Sequence, residues 1–145
     1  MKILVAYDGS EPARRAMRFA AGLARRLPGS ELEVLYVAED FRVAGLTGEQ
    51  YLDPSTWERL ERDMLEYGRK VTEEAAALAE EAGVEALTKV RQGNAAAEIV
   101  AEAQSRGVDL IVMGTRGLNA LGEIVLGSVS VRVMRQAGCP VTVVR

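Results

Sequence analysis

The chain has 145 residues, 48% hydrophobic and 27% charged, which is the composition of an ordinary globular protein with a sizeable core. The net charge of −3, without a basic run, predicts no nucleic-acid partner, and no apolar run is long enough to span a membrane. Histidine is absent, which excludes Ser-His-Asp and Cys-His catalysis and most zinc sites. The single cysteine, Cys139, excludes an intrachain disulfide and favours the cytoplasm. We therefore expect one domain over residues 1–145.

The first strand, helix and second strand follow from residues 2–38. An apolar run ends in Asp8 and predicts a buried strand, and Ser10 is the predicted N-cap of a helix that reaches about Leu27. Residues 31–38 predict the second strand. Ligands of open α/β sheets bind beyond the carboxyl ends of the strands, so Asp8 is a candidate ligand residue; an acid that bonds only its own turn is the alternative. The predicted inner positions of the helix are Ala13, Met17, Ala20, Ala21 and Ala24.

The middle of the chain predicts a long helix between two less regular stretches. Residues 39–53 have no clear period, so they predict either a lid on the ligand side or an irregular connector. Ser55 or Thr56 is the predicted cap of a helix whose apolar residues recur every three or four positions as far as Ala82. Trp57 and Tyr67 belong to this stripe and are predicted to lie in the core rather than to stack on a ligand. Residues 84–91 predict an edge or near-edge strand with outward charges at Glu85, Lys89 and Arg91. A short helix over residues 95–106 follows, with predicted inner positions Ala97, Ile99, Val100 and Ala103.

A glycine-rich stretch between the fourth strand and the last helix predicts an anion site. Residues 108–113 form an apolar run, Gly114, Gly117 and Gly127 follow, and Ser128 is the predicted N-cap of the last helix. Glycines allow a ligand close to the backbone, and a helix start offers unpaired N–H groups to a phosphate; an ordinary turn is the alternative. The spacing fits neither the Walker loop nor the dinucleotide fingerprint.

The same glycines carry a resemblance to a known family. The pattern Gly114-x2-Gly117-x9-Gly127-Ser128, before the last helix, resembles the ATP-binding signature of the universal stress protein family. The segment beginning at Gly93 also resembles the family's Gly-x-Pro/Ala-x-x-x-Ile pattern. The resemblance implies a phosphate site formed by the backbones of Gly114, Gly117, Gly127 and Ser128.

The resemblance also implies roles for residues outside the glycine loop. Asp8 would contact the adenosine portion of ATP, and the backbone of Val37 would bond the adenine edge. Ser128 and Ser130 would add hydroxyl groups at the phosphates. Arg116 either reaches a terminal phosphate or is a solvated surface arginine, and a magnesium ion between the phosphates and Asp8 stays open. The neighbouring residues included in the predicted site are Ala6, Tyr7, Met113 and Val129.

The alternation of strands and helices predicts an α/β fold. We expect a five-stranded, doubly wound parallel sheet in the order 3-2-1-4-5, Rossmann-like, with helices on both faces and a nucleotide crevice between strands 1 and 4. The predicted function is an ATP-binding regulatory module in the stress response, because no positioned base, essential lysine or metal cage is evident. A slow ATPase or phosphotransfer enzyme is the alternative, and a scaffold without a nucleotide is a third possibility. The resemblance implies a homodimer through the apolar last strand, Val141 to Val144.

Overall fold

The computed structural model describes residues 1–39, 53–115 and 126–145. Its five strands form one parallel sheet in the order β3-β2-β1-β4-β5, so the predicted fold and strand order are confirmed. Of the stretch 39–53, predicted as a lid or an irregular connector, residues 40–52 lie outside the described residues. In chain order the elements are β1 (Lys2–Ala6), α1 (Glu11–Arg26), β2 (Glu31–Glu39), α2 (Pro54–Glu81), β3 (Ala86–Gly93), α3 (Ala95–Arg106), β4 (Leu110–Gly114), α4 (Ser128–Gln136) and β5 (Val141–Val144).

The sheet has one apolar core on each face. On one face Ile3 and Val5 of β1 pack with the inner sides of α1 and α2, and on the other Leu4 packs with α3 and α4. All three side chains are almost fully buried, which is why β1 is a continuous apolar run rather than an alternating one. The predicted inner positions of α1 are all buried, and Ala16 joins them.

The helix caps agree with the sequence at α1 and differ at α2. Ser10 caps α1, its Oγ accepting a hydrogen bond from the Ala13 N–H at 3.3 Å. The predicted cap of α2 is wrong: Asp53, not Ser55 or Thr56, holds this position and accepts from the Thr56 N–H at 3.1 Å. The hydroxyls of both predicted caps donate to the Asp53 carboxylate instead, and they hold its pKa far below the ordinary value.

Helix α2 is longer than the sheet it covers. Its 28 residues span about 42 Å, whereas the eight residues of β3 span about 26 Å, so the first turns of α2 extend beyond the carboxyl edge of the sheet. Tyr67 lies within the part of α2 that covers the sheet, but it is 48% exposed while its neighbour Gly68 is buried, so its predicted place in the core is wrong. Its ring packs edge-on against Tyr36 with centroids 5.9 Å apart. The predicted apolar positions in the second half, such as Val71 and Ala75, are buried.

Strand β3 lies at the edge of the sheet, as predicted, but two of its charged residues contact α3 as well as solvent. Glu85 precedes the strand, while Lys89 and Arg91 both form ion pairs with Glu102 of α3. The inner face of α3 differs accordingly: Ala96 and Glu102 are buried, and Ala97 is exposed. A fully buried glutamate in a helix is not predicted from hydrophobic periodicity, because charged residues are normally assigned to the outer face.

Candidate functional site at the carboxyl edge of the sheet

The order of the strands reverses between β1 and β4, and this point defines the candidate site. The two strands pair in register up to Ala6 and Met113, so their carboxyl ends meet at one edge. The chain leaves β1 toward α1 on one face, and α4 packs on the other face. Such a divergence of the connections opens a crevice at the carboxyl ends of the strands, where ligands of doubly wound sheets bind.

Hydrogen bonds attach the start of α4 to the ends of β4 and β5. The Thr115 N–H donates to the Val144 carbonyl at 2.9 Å, and the Gly127 N–H donates to the Thr115 carbonyl at 2.7 Å. The hydroxyl of the buried Ser130 donates to the Gly114 carbonyl at 3.2 Å. Ser130 thus supports the strand end, and its hydroxyl proton is directed inward instead of being free for a phosphate as the sequence predicts.

Helix α4 begins without a side-chain cap. Ser128 is its first helical residue and Gly127 is its N-cap, so the prediction that Ser128 caps the helix is wrong. The first intrahelical bond runs from the Val131 N–H to the Gly127 carbonyl, which leaves the N–H groups of residues 128–130 without an intrahelical acceptor. Among the described helices α1, α2 and α3 have a side-chain cap and α4 has none, so its first turn can accept an anion.

Gly114 is required by packing against α1. A Cβ atom built on it would lie 2.8 Å from the Pro12 carbonyl carbon and 2.9 Å from the Ala13 nitrogen. Both neighbours are backbone atoms in the first turn of a helix, so they cannot move aside as a flexible side chain would. The missing side chain lets the first turn of α1 approach the end of β4, and this contact fixes the two sides of the crevice relative to each other.

The turn after β1 presents Asp8 and anchors Tyr7. The Asp8 carboxylate, which is half-buried, accepts the Ser10 N–H at 3.0 Å through Oδ1. The buried Tyr7 hydroxyl donates to Glu74 of α2 at 2.9 Å, and the Arg14 Nε donates to the same carboxylate oxygen at 2.6 Å. Burial and the bond to Glu74 raise the pKa of Tyr7, which keeps the hydroxyl protonated as a donor. Sequence reasoning missed Glu74 and Arg14, since neither lies in a motif.

The backbone of Val37 faces the crevice. Leu35 pairs with Ala6, and its carbonyl accepts the Tyr7 N–H at 2.9 Å, so the peptide groups of Leu35 point toward β1. Alternate residues of a parallel strand bond to the same side, so the Val37 N–H and carbonyl also point that way. Because β1 ends at Ala6, they extend beyond its last paired residue and are available to a ligand.

Most residues of the predicted site lie at the carboxyl edge of the sheet, and the others fall outside the described residues. Tyr7 and Met113 are buried, so only their backbones can contribute. Arg116 and Gly117 lie outside the described residues. No group of three or more metal-ligating side chains occurs in residues 1–39, 53–115 and 126–145. The predicted residues at this edge are Ala6, Tyr7, Asp8, Val37, Met113, Gly114, Gly127, Ser128, Val129 and Ser130.

The switch-point crevice and the uncapped helix start define an α/β protein of the architecture that binds nucleotides at this position. The family model described as universal stress protein family matches residues 1–145, and the chain belongs to that family. It is 38% identical to universal stress protein YxiE of Bacillus subtilis over 146 residues, covering 99% of this chain and 98% of the relative. It also resembles the solved structure of hypothetical protein MJ0577 of Methanocaldococcus jannaschii, with a TM-score of 0.82 and 29% identity over 99% of this chain and 94% of that one.

Three more distant structures of the same fold hold adenine nucleotides. One is a universal stress protein in complex with cAMP, with 22% identity and a TM-score of 0.73. The others are family members from Arabidopsis thaliana with AMP bound and from Archaeoglobus fulgidus in complex with dAMP, with TM-scores of 0.69 and 0.67. No helix in the described part of this chain is long and apolar enough to cross a membrane.

Proposed function

We propose that this chain binds an adenine nucleotide, with ATP as the physiological ligand, and acts as a nucleotide-dependent regulatory module in the stress response. The observation that carries the proposal is the start of α4, where a glycine occupies the N-cap and three N–H groups have no intrahelical acceptor. A phosphate accepts hydrogen bonds from such groups and lies at the positive end of the helix dipole. The adenine nucleotides held by the more distant relatives support the choice of base.

Each part of the nucleotide has a matching group along the crevice. Ser128, Val129 and Ser130 offer N–H donors to the phosphates, and Gly117 and Arg116 are further candidates there. Asp8 uses one carboxylate oxygen within its own turn, which leaves the other for a ribose hydroxyl. The outward peptide groups of Val37 offer one donor and one acceptor to the adenine edge. A magnesium ion carried by the nucleotide would lie between the phosphates and Asp8.

The alternative on the same scaffold is a slow ATPase or phosphotransfer enzyme. The ionised groups around Tyr7 are tied to one another, with Glu74 accepting from both Tyr7 and Arg14, so they do not form a free base. A measurement of phosphate release under multiple-turnover conditions separates the two functions. Turnover near the roughly 1–100 per second of kinases, abolished by Asp8→Ala, would favour the enzyme.

Replacing Gly127 by aspartate tests the phosphate site directly. Aspartate is a preferred N-cap, so Gly127→Asp should stabilise the protein by a few tenths of a kcal/mol, since its carboxylate occupies the free N–H groups. The same carboxylate repels phosphates, so ATP binding should be lost in calorimetry. The Gly127 backbone, with φ of −61°, is accessible to any residue, so the substitution introduces no backbone strain.

Two comparisons make this test specific. Gly127→Ala adds a side chain without a charge or a cap and should retain most of the affinity for ATP. Adenosine, which lacks phosphates, should bind the Gly127→Asp protein nearly as well as the wild type. Unchanged ATP affinity in a folded Gly127→Asp protein would refute the phosphate site at α4.

We also propose a homodimer through strand β5. Thr115 donates to the Val144 carbonyl and Ile111 donates to the Pro140 carbonyl, so alternate residues of β5 point toward β4. Val141 and Val143 therefore direct their peptide groups to the open edge of the sheet. An apolar edge strand with free peptide groups is a surface for pairing with another strand, and β5 of a second copy is self-complementary. The cytoplasmic location expected from the lone Cys139 stays a prediction.

The outward peptide groups of β5 suggest a clean test of this dimer. Val143→Pro removes an N–H that points away from β4, so the dimer should dissociate while the internal pairing of β4 with β5 remains. Val143→Ala keeps the N–H and should remain a dimer. Light scattering measures both masses. A wild type that is monomeric at high concentration, or a Val143→Pro protein that stays dimeric, would contradict the interface.

A further inference from the structure

The outward face of the helix layer formed by α1 and α2 is divided by charge. Helix α1 has five arginines and one glutamate, a net charge of +4, whereas α2 has eight carboxylates and four cations, a net charge of −4. In the described part of the chain, unpaired charges of opposite sign lie in the last turns of the two helices. Arg25 and Arg26 end α1, Glu80 and Glu81 end α2, and all four side chains are exposed. Within the described residues no ion pair neutralises any of these four.

Helices α1 and α2 run in the same direction, and their last turns lie at the same height along the sheet. Both connect neighbouring parallel strands on the same face of the sheet, so they run parallel to each other. Each is followed by a four-residue connection, 27–30 and 82–85, to a strand, and these strands pair from Leu32 and Ala86. The last turns of α1 and α2 therefore lie at the same edge of the molecule.

On the outer side of each helix, a small residue lies one turn before the last residue. Gly22 lies four residues before the end of α1, and Ala77 lies four residues before the end of α2. A Cβ atom added to Gly22 meets nothing within 4 Å, so no contact inside the protomer explains a glycine that weakens the helix. Next to it the side chain of Phe19 is 46% exposed. A close approach by another molecule accounts for both features.

We propose that this face is a self-association surface on which a second copy of the chain docks about a two-fold axis parallel to the helices. Such an axis lays α1 of one protomer along α2 of its partner, and keeps the two ends of the helices at the same level. Arg25 and Arg26 then meet the carboxylates at the end of α2, and Gly22 meets Ala77. The two-fold operation makes this contact twice, so one surface satisfies both protomers.

In the first half of α1, and in the turns of α2 beside it, the cations already have carboxylate partners. Arg15 is paired with Glu11 at 3.5 Å and Lys70 with Glu66 at 3.9 Å, and Arg14, Arg18 and Arg69 also form ion pairs, so these residues add little attraction or repulsion. The two helices lie about 10 Å apart and share a length of about 24 Å, that of α1, so they present roughly 500 Å² per protomer, or roughly 1,000 Å² in total. That area is at the low end for specific association. The proposal therefore predicts a weak contact that depends on salt, in addition to any main-chain pairing through β5.

Charge reversal on each helix, alone and in combination, tests the surface. One variant carries Arg25→Glu with Arg26→Glu, and the other carries Glu80→Arg with Glu81→Arg. Each should self-associate about tenfold more weakly than the wild type, because like charges then meet in both contacts. A one-to-one mixture should associate as the wild type does, since opposite charges face each other again in both contacts. A chain with all four substitutions should also recover.

Sedimentation velocity over a range of concentrations gives the readout. Association should be measurable at an ionic strength of about 0.01 M, where the Debye length is about 30 Å, and lost at about 1 M, where it is about 3 Å. Main-chain pairing through β5 lacks this salt dependence. The control, Arg132→Glu with Arg135→Glu on the opposite face, should behave as the wild type. The proposal would be overturned by a wild type without salt-sensitive association or by a mixture that fails to recover. It would also be overturned if the reversal on α1 weakened association while the reversal on α2 did not.

Discussion

Replacing Gly114 by valine should lower the free energy of unfolding by about 3 kcal/mol, the upper part of the range for overpacked interiors. The added Cβ would lie 2.8 to 2.9 Å from backbone atoms of Pro12 and Ala13, which belong to the first turn of α1. Relief requires a shift of either the helix or the end of β4, and both positions border the crevice. Urea denaturation followed by circular dichroism measures the change.

Gly138→Val is the matched control for this substitution. No atom outside its chain neighbours lies within 4 Å of a Cβ at Gly138, so its stability should change by no more than about 0.5 kcal/mol. If Gly114→Val unfolds at the same denaturant concentration as Gly138→Val, the close contact between α1 and β4 does not constrain the fold.

The sheet was predictable because its signals are local and repeated. The run Ile3-Leu4-Val5 is apolar on both faces, which is typical of a central parallel strand, and short connections leave few alternatives for the handedness. Periodicity could not show how far α2 extends beyond the sheet, because the length of a helix does not reveal the length of the strands beneath it. Nor could periodicity show that Tyr67 flanks the buried side of α2, where 48% of it is exposed although the pattern assigns it to the core.

The candidate site was predicted in its position but not in its details. The order of the elements places Asp8 and Gly127 at one edge, and this follows from topology alone. Which residue caps a helix depends on the backbone angles of a single residue. The sequence therefore predicts Ser128 as the N-cap of α4, whereas Gly127 is the N-cap in the structure. A glycine that accommodates a ligand and one that accommodates another helix have the same sequence signal, so the packing role of Gly114 was not evident before the structure.

The buried charges on the face of the sheet that α3 covers are not predicted by any pattern in the sequence. Glu102 of α3 is fully buried and accepts from Lys89 at 2.8 Å while pairing with Arg91. Glu33 of β2 is 7% exposed and accepts from Arg106 at 3.0 Å. The buried Glu33 Oε1 receives no hydrogen bond within the described residues, whereas Glu102 Oε2 lies against the Arg91 guanidinium. A proton held on Glu33 and directed at the ionised Glu102 would satisfy the remaining oxygen.

The two glutamates hold protons to different degrees. Burial and a hydrogen bond with Glu102 raise the pKa of Glu33. Burial alone would raise the pKa of Glu102 too, but the hydrogen bond from Lys89 and the charge of Arg91 outweigh it and lower that pKa. Stability from Glu33 is thus fully present below its unfolded-state pKa and lost as the pH rises through its folded-state pKa. Stability from Glu102 is present above its unfolded-state pKa and lost as the pH falls through its folded-state pKa.

Two isosteric substitutions in this pair should therefore have opposite effects at neutral pH. Glu33→Gln keeps a neutral N–H donor toward Glu102, so it should match the wild type near pH 4 and be more stable near pH 8 by about 1 kcal/mol, the lower cost of an unsatisfied buried group. Glu102→Gln leaves Lys89 and Arg91 without their buried anion and should lose about 3 kcal/mol near pH 8, with a smaller loss at low pH. Urea denaturation between these two pH values measures both proteins against the wild type. Equal destabilisation of the two variants near pH 8 would show that the pair does not share a single proton.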